Sequence, residues 1–163
     1  MITYPCCKIN LGLNVVAKRK DGYHDLETVF YPIELTDRLE ANITDGMPNA
    51  CSLSMSGNKI EGNAADNLIV KAYKLLANDF DLPHISFDLE KNIPSQAGLG
   101  GGSADATYAL RMVNQLCNLS LTTEKLQHYA AKLGADCAFF ATSEPAYATG
   151  IGEILQPITN DLA

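Results

Sequence analysis

The chain reads as an α+β domain, a mixed sheet with helices packed on it. Three observations predict that class. The N-terminal third holds short runs in which apolar and polar residues alternate, the period of half-buried strands. Later segments repeat their apolar residues at helical spacing. Between a strand-like and a helix-like segment lies a glycine-rich run, residues 94–103, with four glycines in ten positions.

Taken in order, Ile9, Leu11, Leu13 and Val15 alternate along a first strand, with Lys8, Asn10, Gly12 and Asn14 on its other face. Residues 18–22 form a polar turn. Leu26, Thr28 and Phe30 then alternate with Glu27, Val29 and Tyr31. Residues 37–44 and 51–56 read as further strands, separated by the turn-rich segment 45–49. Asp66 and Asn67 open a helix whose face carries Leu68, Ala72, Leu75, Leu76 and Phe80. Ile85, Phe87 and Leu89 mark a strand before the glycine run. Ala106, Ala109, Leu110, Val113, Leu116 and Cys117 mark the helix after it. Thr122 or Thr123 caps a third helix, with Glu124 in its first turn and Leu126, Tyr129, Ala130 and Leu133 on its face. Gly134 is the expected stop. The apolar tract 135–140 follows, and residues 147–155 return to strand and turn.

The 163 residues suffice for one domain with a core, and 47% hydrophobic with 19% charged residues is ordinary for a soluble globular chain. A net charge of −7 argues against nucleic-acid or anionic-membrane partners, which need a basic face. Cys6, Cys7, Cys51, Cys117 and Cys137 contain no C-x-x-C pair, so they suggest reduced, partly buried thiols rather than a zinc site or a disulfide framework. Cys6 and Cys7, adjacent in a strand, would face opposite ways. With no signal-peptide pattern and no apolar run of membrane-spanning length, a cytoplasmic location is expected.

The glycine run has the makings of an anion cradle. Residues without a Cβ let backbone N–H groups converge on a ligand, and the following helix adds the partial positive charge of its N-terminus. Phosphate is the expected guest. The run is not a Walker A loop, since Ser103, Ala104 and Asp105 follow the glycines where a lysine is required. Nor is it a dinucleotide fingerprint: Gly98 and Gly100 fit, but Ser103 occupies the third glycine position. The competing reading is a plain surface turn.

Lys8 by itself reads as a solvated strand lysine, yet Asn10 shares its face, so an ammonium and an amide project together. Asp136 precedes an apolar run where an unpaired carboxylate is costly to bury. It reads either as a helix N-cap or turn aspartate, or as a partner of Lys8 that orients a substrate hydroxyl toward a phosphoryl group. Asp21 and Gly22 explain a hairpin. On chemistry alone, a role for Tyr23 and His24 as a nucleobase platform ranks below that hairpin. His84 and His128 read as surface or packing residues.

Several segments together resemble the GHMP kinases. They are residues 5–11, the Asp21, Gly22, Tyr23, His24 turn with Leu26, Thr28 and Phe30, residues 66–70, 94–104, 133–136 and 150–153. Lys8, Ile9 and Asn10 with the 21–24 turn resemble the branch that acts on a cytidylyl alcohol. The resemblance implies ATP-dependent phosphorylation, with Mg²⁺, of the 2-hydroxyl of a diphosphocytidyl methylerythritol in the non-mevalonate route to isoprenoid precursors. It implies Lys8 and Asp136 as the catalytic pair, with Asn10 beside the acceptor. It places Pro94, Ser95, Gln96, Ala97, Gly98, Leu99, Gly100, Gly101, Gly102, Ser103 and Ala104 around the ATP phosphates, and Asn67 and Lys91 near the adenine. Tyr23 and His24 would receive the cytosine ring, with Phe30 supporting that wall, which reverses the ranking by chemistry alone.

The implied fold is the ribosomal-protein-S5 domain 2-like domain, with a left-handed β-α-β crossover. Cys7 stands where the family commonly has a small residue such as alanine, and Cys137 and Ala138 replace Val-Pro; neither change removes a functional group. Residues 1–163 are expected to be the N-terminal, ATP-binding and catalytic domain of a longer protein, with the C-terminal domain absent and activity impaired without it. No metal ligand and no oligomeric state is assigned. The rival readings are a nucleotide-binding regulatory module, a GHMP kinase for another alcohol or sugar, and an RNA-binding S5-like module, which the acidic charge disfavours.

Overall fold

Eight strands and three helices follow one another in a computed structural model that describes residues 1–60 and 64–158. The order is β1 (Ile2–Thr3), β2 (Cys6–Lys18), β3 (His24–Thr36), β4 (Arg38–Ile43), β5 (Cys51–Gly57), α1 (Leu68–Ala77), β6 (Ile85–Lys91), α2 (Gly101–Leu116), α3 (Thr123–Ala131), β7 (Ala146–Thr149) and β8 (Ile154–Pro157). Short 3-10 turns cover Ala64–Asp66 and Cys137–Ala141.

The strands form two sheets, the expected mixed sheet and a second one. The mixed sheet runs β1-β4-β6-β5, with β5 parallel to β6 across the α1 crossover. The second, β2-β3-β7-β8, is antiparallel throughout. It escapes the sequence because β7 joins β3 from far along the chain.

The β2 alternation also needs correction. Ile9 pairs with Tyr31 and Leu11 with Val29, but beyond Gly12 the register slips, so that Leu13 pairs with Thr28 and Val15 with Leu26. A slip of one residue moves side chains to the opposite face. Ile9 and Leu11 therefore share one face, while Leu13 and Val15 join that of Lys8 and Asn10. Gly12 sits at φ +74, a left-handed conformation glycine adopts without steric cost. Its carbonyl accepts a hydrogen bond from Thr28 Oγ1 at 2.5 Å.

The β6 alternation holds, with Ile85, Phe87 and Leu89 buried. They pack with Leu39, Ile69, Tyr73, Leu76 and Leu110 into the main core between the mixed sheet and the helices. A smaller cluster of Phe30, Phe139, Phe140, Ala104, Ala146 and Ala148 joins the antiparallel sheet to the start of α2. Burying each phenylalanine there contributes about 1.5–3 kcal/mol, enough to fix the Cys137–Ala141 turn against β3.

Helix ends follow their caps. Asn67 Oδ1 accepts from Ile69 N at 2.8 Å and starts α1, which stops at Ala77, short of Phe80. Thr122, not Thr123, caps α3 through Lys125 N at 3.3 Å. Gly134 does not end α3. The Lys132 and Leu133 amides close the last turn onto the Tyr129 and Ala130 carbonyls, so no left-handed residue is required. α2 begins at Gly101, which places Gly101, Gly102 and Ser103 in a helical turn rather than in the loop. Among the described residues no helix is long and apolar enough to cross a membrane.

Candidate active site

The segment between β6 and α2 takes left-handed backbone at alternate residues: Gln96 at φ +58, Gly98 at +73 and Gly100 at +70. Such alternation turns successive N–H groups toward a common concavity, an anion-binding nest. Gly100 is the N-cap of α2 and provides no side-chain cap, so the first-turn amides keep their donors for a ligand. A β-carbon on Gly100 would stand 3.1 Å from Phe140 Cζ and 3.3 Å from Lys8 Cε. Residues 94–103 line a cavity of about 560 Å³, together with Met55, Lys59, Ile60, Asp66, Asn67, Leu68, Lys91 and Asp105. Small-molecule sites commonly have this size. Ala104 does not line it; that residue is buried beneath, in the Phe30, Phe139 and Phe140 cluster.

Lys8 is buried, which excludes the solvated strand lysine. Its ammonium donates to Asn10 Oδ1 at 2.7 Å and to the Gly98 carbonyl at 3.0 Å, lies 3.5 Å from Asp136 Oδ2, and stands 5.1 Å above the Phe30 ring. The Lys8 amide donates to the Leu99 carbonyl at 2.9 Å. Asp136 occupies the N-cap position of the Cys137–Ala141 turn, yet its carboxylate makes no capping bond. It faces Lys8 instead, about a third exposed. A β-carbon on Gly152 would lie 3.5 Å from both Asp136 Oδ1 and Phe30 Cζ, so the β7–β8 turn closes over this corner.

From Lys8 a polar chain continues along β2. Asn10 Nδ2 donates to Thr28 Oγ1 at 3.0 Å, and Thr28 donates in turn to the Gly12 carbonyl. Phe30 is buried between Lys8 and Phe139. Tyr23 and His24 are not brought to this corner. They sit exposed at the β2–β3 hairpin tip, and the six residue steps from His24 to Phe30 span roughly 20 Å of strand. The tip is held by the Arg19 amide donating to the Tyr23 carbonyl at 2.7 Å and by Asp21 Oδ1 accepting from Tyr23 N at 3.1 Å.

Asn67 lines the cavity but spends its side-chain oxygen on the α1 cap. Lys91 lines the cavity as well, as a buried residue. It continues the buried Ile85, Phe87, Leu89 alternation, and its ammonium is held by Asp37 and by Asp105 Oδ2, the latter at 2.8 Å. Burial opposes that charge, but Asp105 and Asp37 outweigh it and raise the Lys91 pKa. Asp37 Oδ1 also accepts from the Asn92 and Ile93 amides at 2.6 and 2.8 Å. Sequence reasoning passed over Asp37 and Asp105. The available signals were Lys91 in phase with the apolar face of β6, and Asp105 between two alanines on the inward side of α2. His84 pairs with Thr44 Oγ1 at 2.7 Å, and His128 is exposed on α3, both away from the cavity. All five cysteines are free thiols.

Residues 67–144 match the family model described as "GHMP kinases N terminal domain". The chain is 55% identical to the 4-diphosphocytidyl-2-C-methyl-D-erythritol kinase of Bacteroides fragilis, over 97% of this chain and 58% of that protein. It is 46% identical to the kinase of the same name from Porphyromonas gingivalis, over 98% of this chain and 58% of that one. A crystal structure of 4-(cytidine 5'-diphospho)-2C-methyl-D-erythritol kinase superposes with a TM-score of 0.80 at 35% identity, covering 97% of this chain and 55% of that one. Methanococcus jannaschii mevalonate kinase, at 14% identity and a TM-score of 0.70, shares the fold. The chain spans somewhat over half the length of the curated relatives it matches.

Proposed function

We propose, from the match of residues 67–144 to the model of the GHMP kinases N terminal domain, that the chain carries the ATP-binding and catalytic part of a kinase that phosphorylates the 2-hydroxyl of 4-diphosphocytidyl-2-C-methyl-D-erythritol. The observation that carries this reading is the Lys8–Asp136 pair at 3.5 Å, bonded to the edge of an uncapped phosphate nest. The relatives that share this chain at 46–55% identity bear that enzyme's name.

Phosphoryl transfer asks a protein mainly for positioning and charge neutralisation. The nest at residues 96–100 and the start of α2 hold the phosphates. Asp136 orients the acceptor hydroxyl and receives its proton. Lys8 offsets the carboxylate and the charge that builds on the transferring group, while Asn10 and Thr28 fix the lysine's direction. Tyr23 and His24 provide the distant cytosine platform, at a separation that suits a substrate lengthened by a diphosphate. The nest and the first turn of α2 would hold ATP as the source of the phosphoryl group, and Mg²⁺ would supply charge neutralisation there. Among the described residues no group of three or more His, Cys, Asp or Glu is placed to cage a metal ion. A bound magnesium ion would therefore draw on fewer than three such protein groups from the described residues. The same reading puts the protein in the cytoplasm, with its thiols reduced.

The test is a coupled assay of ADP release on the full-length protein, with ATP and Mg²⁺. Turnover with the cytidylyl methylerythritol, and none with mevalonate or homoserine, is the expected result. Equal or absent turnover with the cytidylyl alcohol overturns the substrate assignment.

A further inference from the structure

Three ionisable side chains lie buried together under the phosphate loop, and the chemistry above uses none of them. Lys91 at the end of β6 donates to Asp37, in the turn between β3 and β4, and to Asp105 Oδ2, in the first turns of α2. All three side chains are 3% exposed or less. A β-carbon on Gly101 would lie 3.3 Å from Lys91 Nζ, so the first turn of α2, where the phosphate loop ends, rests directly on this group.

One ammonium cannot neutralise two carboxylates. The two acids are not equivalent. Both oxygens of Asp37 are engaged, Oδ1 by two backbone amides and Oδ2 by Lys91. Asp105 Oδ1 is buried with no hydrogen-bond partner among the described residues, on a residue that lines the cavity. An ionised Asp105 leaves an uncompensated negative charge beneath a cradle for phosphate, and an orphan acceptor as well. A proton on Oδ1 removes the excess charge and keeps Oδ2 as the acceptor for Lys91.

We propose that Asp105 is a positioning residue that binds a proton from solvent as nucleotide phosphates fill the loop, so that the cradle floor is neutral in the occupied state. This rests on the nucleotide-binding reading of the loop. Burial and the neighbouring Asp37 carboxylate push Asp105 up to about 8 against the opposing pull of Lys91, so near that pH the site is poised between its two forms. Phosphate charge arriving above Gly101 shifts it further toward the protonated form. The other groups around it act in the same field: Cys7 of β2 is coupled to Asp37, Lys59 and Asp66 line the cavity, and Lys8 reaches the loop through Gly98.

The experiment is calorimetric titration of the full-length protein with ADP and Mg²⁺ in buffers of different ionisation enthalpy, which counts protons exchanged on binding. The wild type should take up a measurable fraction of a proton per nucleotide near pH 8, and less at pH 6, since burial and Asp37 push Asp105 up to about 8. Asp105→Asn should abolish the uptake at pH 8 while still binding nucleotide. Asp37→Asn removes a carboxylate that raises Asp105, so its maximum uptake should move to lower pH. Equal proton counts in the wild type and Asp105→Asn overturn the proposal alone. If Asp105→Asn fails to fold, an unmoved maximum in Asp37→Asn overturns it. Absence of nucleotide binding by the wild type overturns the nucleotide reading, and this proposal with it.

Discussion

Lys8 donates its ammonium to the Gly98 carbonyl at 3.0 Å, so the lysine beside Asp136 also holds the glycine-rich loop. The two side chains should therefore fail differently when removed. Lys8→Ala loses the loop contact along with the charge, and should lower kcat at least a hundredfold and nucleotide affinity about tenfold. Asp136→Asn leaves the loop bonds in place. Its kcat should fall by roughly 10²–10⁴ while nucleotide affinity stays within about twofold. Steady-state rates and calorimetric Kd values on the full-length protein separate the two patterns, and retained turnover in Asp136→Asn removes it as the base.

Gly100 combines φ +70 with close contacts to Phe140 and Lys8. Gly100→Ala must place a β-carbon in the left-handed region, at about 1–2 kcal/mol, and must also displace either an aromatic ring of the core or the lysine stem. The melting temperature should drop by about 3–8 °C. Nucleotide affinity should fall about tenfold or more, because the shift moves the uncapped first-turn amides. Unchanged binding would show that those amides are not the phosphate ligands.

Tyr23 is 59% exposed, and the hairpin tip is held by backbone and Asp21 bonds that do not involve its ring. Tyr23→Ala should leave stability within about 0.5 kcal/mol of wild type. Ring stacking on a base contributes about 1–3 kcal/mol. The KM for the cytidylyl alcohol should thus rise about tenfold while the KM for ATP does not move. An unaltered alcohol KM removes Tyr23 from the cytosine platform.

What could be read in the chain was local. The Ile85, Phe87, Leu89 alternation, the Asn67 and Thr122 caps, and the nest at residues 96–100 each depend on neighbours a few positions away. The slip at Gly12 could not be read, because Leu13 and Val15 continue the alternation of Ile9 and Leu11 and only strand pairing shows the change of face. Asp136 has the sequence setting of a cap, and packing of Phe139 and Phe140 against β3 and α2 turns it toward Lys8 instead. Asp37, Lys91 and Asp105 come from three separate elements. Their juxtaposition exists only once those elements pack.

That buried trio has a consequence for stability as well as binding. Asp105 is pushed up to about 8 by burial, whereas an unfolded aspartate titrates near 3.9. Between about pH 4 and 8 the folded chain therefore holds a proton that the unfolded chain has released. Stability must decline as pH rises through that window, since the native state binds the extra proton. Above about pH 8 both states are ionised at this site, and the decline levels off. Asp105→Asn keeps an oxygen for Lys91 and removes the titration. Its melting temperature should lose the part of the slope between pH 5 and 8.5 that Asp105 supplies, crossing above wild type at the alkaline end. Parallel melting curves for the two proteins across that range would show that Asp105 does not titrate there, and would place the excess negative charge permanently beneath the loop.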